Sequence, residues 1–208
     1  MANHGSYYTY EYDVFLCFRR GVHLAFIDYL YKALDGIGIK TFKDADKEES
    51  PTDKEETSPD VVEKIERSRM SVVVFCKDFP YSRRCLDEVA KIKECSDDNK
   101  KRMQMQVVPI FYYGVEPADV RWQRKETTYG EAFSQHEERL GKDSEKIETW
   151  RSALRGLCQL IGIECHKNAI LSPHQSPSSD PALGLFQVLP LGRNIFSLSF
   201  SLSTSSHD

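Results

Sequence analysis

The sequence lacks the features that would tie the protein to a membrane or to a nucleic acid. No stretch of its 208 residues approaches the roughly 20 consecutive apolar residues that cross a bilayer. The N-terminus, MANHGSYYTY, has neither the basic start nor the apolar run of a secretory signal. The net charge is −4, and Lys and Arg form no basic stripe. We therefore expect no membrane partner and no nucleic-acid partner.

Cysteine pairs at metal or redox spacing are also missing. The six cysteines include no CxxC pair, and all but the last fall inside predicted strands or helices. Such a scatter is typical of free, buried thiols in a reducing compartment, which predicts a cytoplasmic protein, with the nucleus as a second location. Cys165 and His166 are neighbours but have no further ligands at metal spacing. No glycine-rich phosphate loop and no nucleophile elbow is present.

Strands alternate with helical patterns along the first three quarters of the chain. Repeated βα units imply a parallel sheet with right-handed crossovers and helices on both faces. Four strands are clear, and a fifth would have to be short: Tyr12–Phe18, Ile39–Phe42, Ser71–Cys76 and Val107–Tyr112. Helices are predicted from Leu24 to Leu34, from Pro59 to about Arg69, from near Arg84, and over Tyr129–Leu140 and Ser144–Ile161.

The stretch Ser71–Ile92 carries the strongest functional signal. A buried strand leads through a polar loop into a helix that places Glu88 in its first turn, on one stripe with Cys85, Ile92 and Cys95. A carboxylate that leans toward a core near the carboxyl end of a strand is typical of a ligand site. The alternative is a helix N-terminus that favours any acid. Asp87 falls on the other face together with Lys91 and Glu94, where ordinary solvated pairs are expected.

The last forty residues differ from the rest. Residues 169–208 are rich in Ser and Pro and show no steady hydrophobic period, which predicts little or no regular structure. Their apolar content is nevertheless high for a disordered tail, so a strand near Ile195–Leu202 is an alternative.

Several motifs in order resemble the TIR domains of plant immune receptors. The resemblance spans roughly Tyr10–Glu164, so residues 1–9 are expected to be an extension, 10–164 the domain and 165–208 a tail. The segments that carry it include Val108–Arg121 (VPIFYYGVEPADVR), Tyr129–Glu138 (YGEAFSQHEE) and Trp150–Gly162 (WRSALRGLCQLIG). It implies an α/β fold, a flavodoxin-like three-layer sandwich of about five parallel strands. It also implies signalling by self-association and, in many members, cleavage of NAD at the nicotinamide–ribose bond.

The resemblance also suggests the site residues. The family's catalytic glutamate lies in a serine–x–tryptophan–cysteine–leucine–x–glutamate motif, which reads SRRCLDE from Ser82 to Glu88 here. Glu88 is therefore the candidate catalytic residue, and Arg19, Ser82 and Cys85 are the candidate NAD-binding residues. NAD would be the substrate, and neither a cofactor nor a metal is implied.

Departures from the family pattern surround that glutamate. Arg84 replaces the family's tryptophan and could pair with Glu88. The loop Lys43–Thr57 is acidic and should repel the phosphates of a dinucleotide. Asp28 and Tyr29 replace a serine–histidine pair through which many members self-associate, and the polar set after Arg19 is missing, so that His23 is an ordinary helix residue.

Two functions of different class follow. The first is an enzyme of plant innate immunity that cleaves NAD through Glu88. The second is a catalytically weak adaptor or decoy that acts by binding other TIR domains or immune receptors. The retained glutamate favours the first function, and the altered surroundings favour the second.

Overall fold

The computed structural model describes residues 10–20, 24–44, 57–98, 104–112 and 114–165, and the backbone of 186–191 and 195–200. The chain divides into two compact units, Met1–Glu164 and Cys165–Asp208. The predicted extension 1–9, His23 and residues 45–56 of the acidic loop lie outside the described residues.

A five-stranded sheet forms the centre of the first unit. Its order is β2-β1-β3-β4-β5, and the β1–β2, β1–β3 and β3–β4 pairs are parallel. The strands are β1 (Tyr12–Phe18), β2 (Thr41–Lys43), β3 (Ser68–Phe75), β4 (Gln106–Tyr112) and β5 (Ile163–Cys165). The predicted parallel sheet of about five strands is confirmed, and the fifth strand has only three residues.

Strand β3 begins earlier than the sequence predicts. Ser68 pairs with Tyr12 of β1, and its hydroxyl donates a hydrogen bond of 2.7 Å to the carbonyl of Lys64 in the preceding helix. That helix therefore ends at Glu66 instead of continuing to about Arg69, and the chain enters the sheet at once.

Six α-helices accompany the sheet in the part of the first unit that the structure describes. Ser58 caps the second of them by accepting a hydrogen bond from the Val61 amide at 3.4 Å. The helices are α1 (Leu24–Gly36), α2 (Pro59–Glu66), α3 (Arg83–Asp97), α4 (Pro117–Trp122), α5 (Thr128–Leu140) and α6 (Glu145–Leu157). The short α4 was not predicted, because six residues give too little helical period to recognise.

Both faces of the sheet are buried. In β1 the alternate residues Phe15 and Cys17 belong to one hydrophobic cluster, which also contains residues of α3, α5 and α6. Leu16 and Phe18 point to the opposite face and are equally buried. This burial on two faces is what the continuous apolar runs of the strands predict, and it gives the three-layer sandwich.

The second unit contains an antiparallel hairpin. Strands β6 (Phe186–Leu191) and β7 (Ile195–Phe200) pair with Phe186 opposite Phe200. They fall in the segment for which little or no regular structure was predicted, and β7 agrees with the alternative of a strand near Ile195–Leu202. The remaining residues from 166 to 208 lie outside the described part of the chain.

Candidate functional site

Glu88 is a buried carboxylate at the start of α3. Ser82 caps this helix, because its hydroxyl accepts the Cys85 amide at 3.3 Å. Since α3 begins at Arg83, Glu88 lies in the second turn, not in the predicted first turn. Only 2% of Glu88 is exposed, and burial raises the pKa of its carboxyl, while the charge of Arg84 opposes that rise. Its Oε1 atom accepts no hydrogen bond from any residue that the structure describes.

Arg84 connects Glu88 with the loop that follows β2. Its Nε lies 3.5 Å from Glu88 Oε1, which confirms that the two side chains pair. Its NH1 lies 3.2 Å from Oδ2 of Asp44, and its backbone carbonyl accepts the hydroxyl of Thr57 at 3.2 Å. Arg84 therefore holds both ends of the segment from Asp44 to Thr57.

Arg20 is a site residue that was not predicted from the sequence. Its guanidinium forms an ion pair with the same Oδ2 atom of Asp44 that Arg84 contacts. Burial and the charge of Arg84 lower the pKa of Arg20. Arg20 and Asp44 each follow a strand, β1 and β2, and these strands are parallel neighbours. The consecutive residues Arg19 and Arg20, directly after a buried strand, were the feature of the sequence that could have indicated this site.

Asp44 belongs to the acidic loop and is held by two arginines. The acidic segment Lys43–Thr57 was expected to repel phosphates. The one carboxylate of it that the structure describes is bound by Arg20 and Arg84 and only 14% of its side chain is exposed. The charge of Asp44 is compensated by two guanidinium groups, and the repulsion of phosphates by the loop as a whole stays a prediction. Residues 45–56 lie outside the described part of the chain.

Two thiols lie close to the Glu88 carboxylate. Burial and the charge of Glu88 raise the pKa of Cys17 well above its ordinary value. The same two causes raise the pKa of Cys85 to about 12, and its Sγ donates to the carbonyl of Phe18 at 3.5 Å. Both therefore stay protonated at neutral pH and neither is an activated nucleophile. Of the candidate NAD-binding residues, Cys85 and Ser82 are buried, and each contributes to the packing or capping of α3.

Arg19 lies at the same edge of the sheet, directly after β1. It is half-buried, and its positive charge partly opposes the rise that burial causes in the pKa of the thiols of Cys76 and Cys85. The structure therefore brings Arg19 into the neighbourhood of the site that contains Arg20, Arg84 and Glu88.

Asp87 serves a different purpose from its neighbour Glu88. The expected solvated pairing of Asp87 with Lys91 is wrong, because α6 packs against this face of α3. Asp87 Oδ1 accepts the indole N–H of Trp150 at 2.8 Å, and its Oδ2 lies 3.1 Å from Nζ of Lys146. Lys91 instead pairs with Glu66 at 2.6 Å and with Glu94 at 2.9 Å.

Within the described part of the chain, no three His, Cys, Asp or Glu residues are grouped so that they could hold a metal ion. None of the helices described there has the length and apolar character needed to cross a membrane. All six cysteines are free thiols.

Comparison with known proteins decides the family. The profile of the TIR domain matches residues 11–170. The chain belongs to the TIR domain family. The resemblance seen in the sequence motifs is thereby confirmed over most of this chain.

The relatives of this TIR domain include plant disease resistance proteins. It is 43% identical over 155 residues to the disease resistance protein RUN1 of Vitis rotundifolia, covering 74% of this chain and 11% of the relative. It is 38% identical over 164 residues to the TMV resistance protein N of Nicotiana glutinosa, covering 78% of this chain and 13% of the relative. The chain thus spans about an eighth of the length of these relatives.

A solved structure supports the fold of the TIR domain. The TIR domains in the structure of the activated Roq1 resistosome, which directly recognises the pathogen effector XopQ, match with a TM-score of 0.61 and 36% identity. The match covers 74% of this chain and 87% of that one. The flavodoxin-like arrangement predicted from the sequence is therefore confirmed.

Proposed function

We propose that this TIR domain signals in plant innate immunity by cleaving NAD at the nicotinamide–ribose bond, with Glu88 as the catalytic residue. The observation that carries the proposal is the buried Glu88 carboxylate at the carboxyl edge of the sheet, with Oε1 free of hydrogen bonds from the described residues. Ligand sites of open parallel sheets lie at this edge. The relatives named as disease resistance proteins suggest the biological setting.

The reaction needs a negative charge close to the ribose. When the bond from C1′ to the pyridinium nitrogen breaks, its electron pair goes to the nitrogen, nicotinamide leaves as a neutral molecule, and the ribose becomes oxocarbenium-like. An ionised Glu88 would stabilise that positive charge and could bind the ribose hydroxyls. Water then adds to C1′ and loses a proton. No cofactor or metal is required.

The basic residues around Glu88 fit an anionic substrate. Arg19 and Arg20 follow β1 and Arg84 lies at the start of α3. The charge of Arg84 acts on Arg20, and the charges of Arg19 and Arg84 both act on the Cys85 thiol. Arg19 would contact phosphate or ribose oxygens, because guanidinium groups bind such oxygens through several donors. Ser82 and Cys85 would act indirectly, because they fix the start of the helix that positions Glu88.

A second function is favoured by the contact between Arg84 and Glu88. The guanidinium lies over a carboxylate of which only 2% is exposed, so the described conformation leaves a substrate little access. Such a protein would act as a catalytically weak adaptor or decoy through contacts with other TIR domains or immune receptors. The assembled TIR domains of the Roq1 resistosome are consistent with that mode of action. In either case we propose action in the cytoplasm or nucleus, where free thiols persist.

Nicotinamide release by the purified protein separates the two functions. The assay is run at high protein concentration or with a crowding agent, so that assemblies can form. The Glu88→Gln variant keeps the shape of the buried side chain and removes its charge, and it should abolish release. Glu94→Ala is the matched control, because it removes an exposed carboxylate of the same helix, and it should leave release unchanged.

Each outcome bears on one of the two functions. Activity that survives Glu88→Gln would mean that another carboxylate acts. Absence of release from the wild-type protein under assembling conditions would reject the enzyme and leave the adaptor.

A further inference from the structure

The side chains of Arg20 and Arg84 converge on a single oxygen atom. Both guanidinium groups contact Oδ2 of Asp44, although they belong to different elements of the fold. Arg20 follows β1 and Arg84 lies in the first turn of α3. The side chains of Arg20 and Arg84 are 7% and 15% exposed, so both positive charges are largely removed from water.

Two buried guanidinium groups aimed at one oxygen are suited to a phosphoryl group. Arginine donors bind phosphate through planar, charge-assisted hydrogen bonds, and the diphosphate of a dinucleotide offers two non-bridging oxygens on each phosphorus where Asp44 offers two oxygens in all. The arrangement places positive charges side by side, and each guanidinium is compensated here by a carboxylate of the chain itself. Asp44 therefore stands where an external anion would be bound.

We propose that Arg20 and Arg84 form a phosphoryl-binding clamp that Asp44 occupies in the unliganded protein, so that a phosphate group of the substrate binds by displacing Asp44. This inference rests on the proposed function, which supplies a dinucleotide diphosphate as the natural ligand. It assigns the binding of phosphate to Arg20 and Arg84 in addition to Arg19.

The neighbouring contacts agree with a clamp that opens. Glu88 Oε1 is buried, lies 3.5 Å from Arg84 Nε, and accepts no hydrogen bond from the described residues, which leaves it able to accept one from a hydroxyl group. The loop that begins at Asp44 returns at Thr57, which donates to the carbonyl of Arg84 at 3.2 Å. Displacement of Asp44 would leave the contact between Thr57 and Arg84 intact.

Anion binding by the whole chain tests the clamp without reference to NAD cleavage. The probe is inorganic pyrophosphate, measured by titration calorimetry and by the shift in melting temperature that it causes. In Asp44→Asn the internal competitor loses its charge, and we expect pyrophosphate to bind more tightly by on the order of tenfold, the size of one charge-assisted contact. Asp28→Asn is the matched control, because Asp28 pairs with Lys43 in an exposed ion pair on α1, and it should bind like the wild type.

The tighter binding of pyrophosphate by Asp44→Asn should depend on Arg20 and Arg84. Adding Arg20→Gln or Arg84→Gln to the Asp44→Asn variant should return the affinity to the wild-type level or below. If Asp44→Asn lowers the melting temperature, pyrophosphate should restore it, since the added anion replaces the lost carboxylate. The clamp is rejected if Asp44→Asn gains neither affinity nor anion-dependent stability, or if the gain survives without both arginines. Loss of nicotinamide release alone would reject the enzyme function and not the clamp.

Discussion

Arg84 and Glu88 lie one helical turn apart on α3, with the Nε of Arg84 3.5 Å from Oε1 of Glu88. The proposed reaction needs the negative charge of Glu88, and the positive charge of Arg84 can keep that carboxylate from the substrate. Because Arg84 also binds Asp44 at 3.2 Å, its guanidinium is shared between two carboxylates. Activity therefore depends on how firmly Arg84 is held at this position.

Replacing Arg84 by tryptophan should raise kcat for nicotinamide release at saturating NAD, while the loss of one arginine of the proposed clamp should raise KM. The change removes the cation that pairs with Glu88 and supplies an aromatic surface on which a pyridinium ring could stack. The expected gain is about tenfold for each 1.4 kcal/mol of transition-state stabilisation recovered. Steady-state release by Arg84→Trp and wild type, at equal protein concentration, gives the comparison.

Two further variants control for the added ring. Arg83→Trp places the same ring one residue earlier on the helix, and it should not raise the rate. The combination of Arg84→Trp with Glu88→Gln should be inactive, because the ring cannot replace the missing charge. A kcat at saturating NAD that is unchanged or lower in Arg84→Trp would show that Arg84 does not restrain Glu88.

The pH dependence of stability should reveal the buried charge of Glu88. Burial raises the pKa of Glu88 in the folded protein above its ordinary value. A raised carboxyl pKa means that the folded state holds the proton more tightly than the unfolded state. The stability that Glu88 contributes is therefore present below the unfolded pKa and lost as the pH rises through the folded pKa.

The matched variant Glu88→Gln isolates this effect, because it has no proton to lose. Its melting temperature should exceed that of the wild type at neutral pH, and the difference should shrink as the pH falls through the raised pKa of Glu88 toward the ordinary carboxyl pKa. Nicotinamide release needs the ionised form of Glu88, so its rate should fall as the pH is lowered. Because the pKa of Glu88 is raised, this fall should begin at a higher pH than it would for an ordinary glutamate. A difference in melting temperature between the two proteins that stays the same at every pH would contradict the prediction.

The first helix should not support strong self-association. Tyr29 adds a large ring, and Asp28 a charge, where the family uses a serine–histidine pair. The structure moderates the expected repulsion, because Lys43 pairs with Asp28 at 2.7 Å. We still expect a monomer at micromolar concentration and neutral pH by sedimentation velocity.

Restoring the family pair tests that expectation. The double replacement Asp28→Ser with Tyr29→His should increase association, whereas Glu94→Ser on α3 should not. A stable wild-type dimer that a charge reversal at Asp28 abolishes would show that Asp28 promotes the contact instead of opposing it.

The sequence predicted those parts of the site that lie close together along the chain. The burial of Glu88 followed from its spacing to Cys85 and Ile92, and its pairing with Arg84 from their separation of one turn. The ion pair of Arg20 with Asp44 did not follow, since it depends on β1 and β2 being adjacent parallel strands that end side by side. Parallel order is a property of the whole sheet, and an acidic loop does not reveal which of its carboxylates turns inward.

The same limit explains the error at Asp87. A helical wheel places Asp87 on the face of α3 with Lys91, but it does not show that α6 covers this face and presents the indole N–H of Trp150. The last prediction therefore separates the two neighbouring carboxylates by what each one contacts.

Removing Asp87 should lower stability while leaving the proposed chemistry intact. Asp87→Ala deprives the buried Trp150 N–H of its acceptor at 2.8 Å and Lys146 of its anion. An unsatisfied buried donor costs about 1–3 kcal/mol, which lowers the melting temperature by about 2–4 °C for each kcal/mol in a domain of this size. Asp87→Asn keeps an oxygen for the indole and should lose less. Per mole of folded protein, nicotinamide release should match the wild type in both variants.

Glu88→Gln should show the reverse pattern, with the fold retained and release abolished. The two carboxylates are adjacent in sequence, so general damage to α3 would affect both properties in both variants. Thermal melting and nicotinamide release measured on the same samples decide the matter. If Asp87→Ala removed activity at a temperature where it is fully folded, Asp87 would belong to the site. If Asp87→Ala and Asp87→Asn melted like the wild type, the contact with Trp150 would contribute nothing to the packing of α6 on α3.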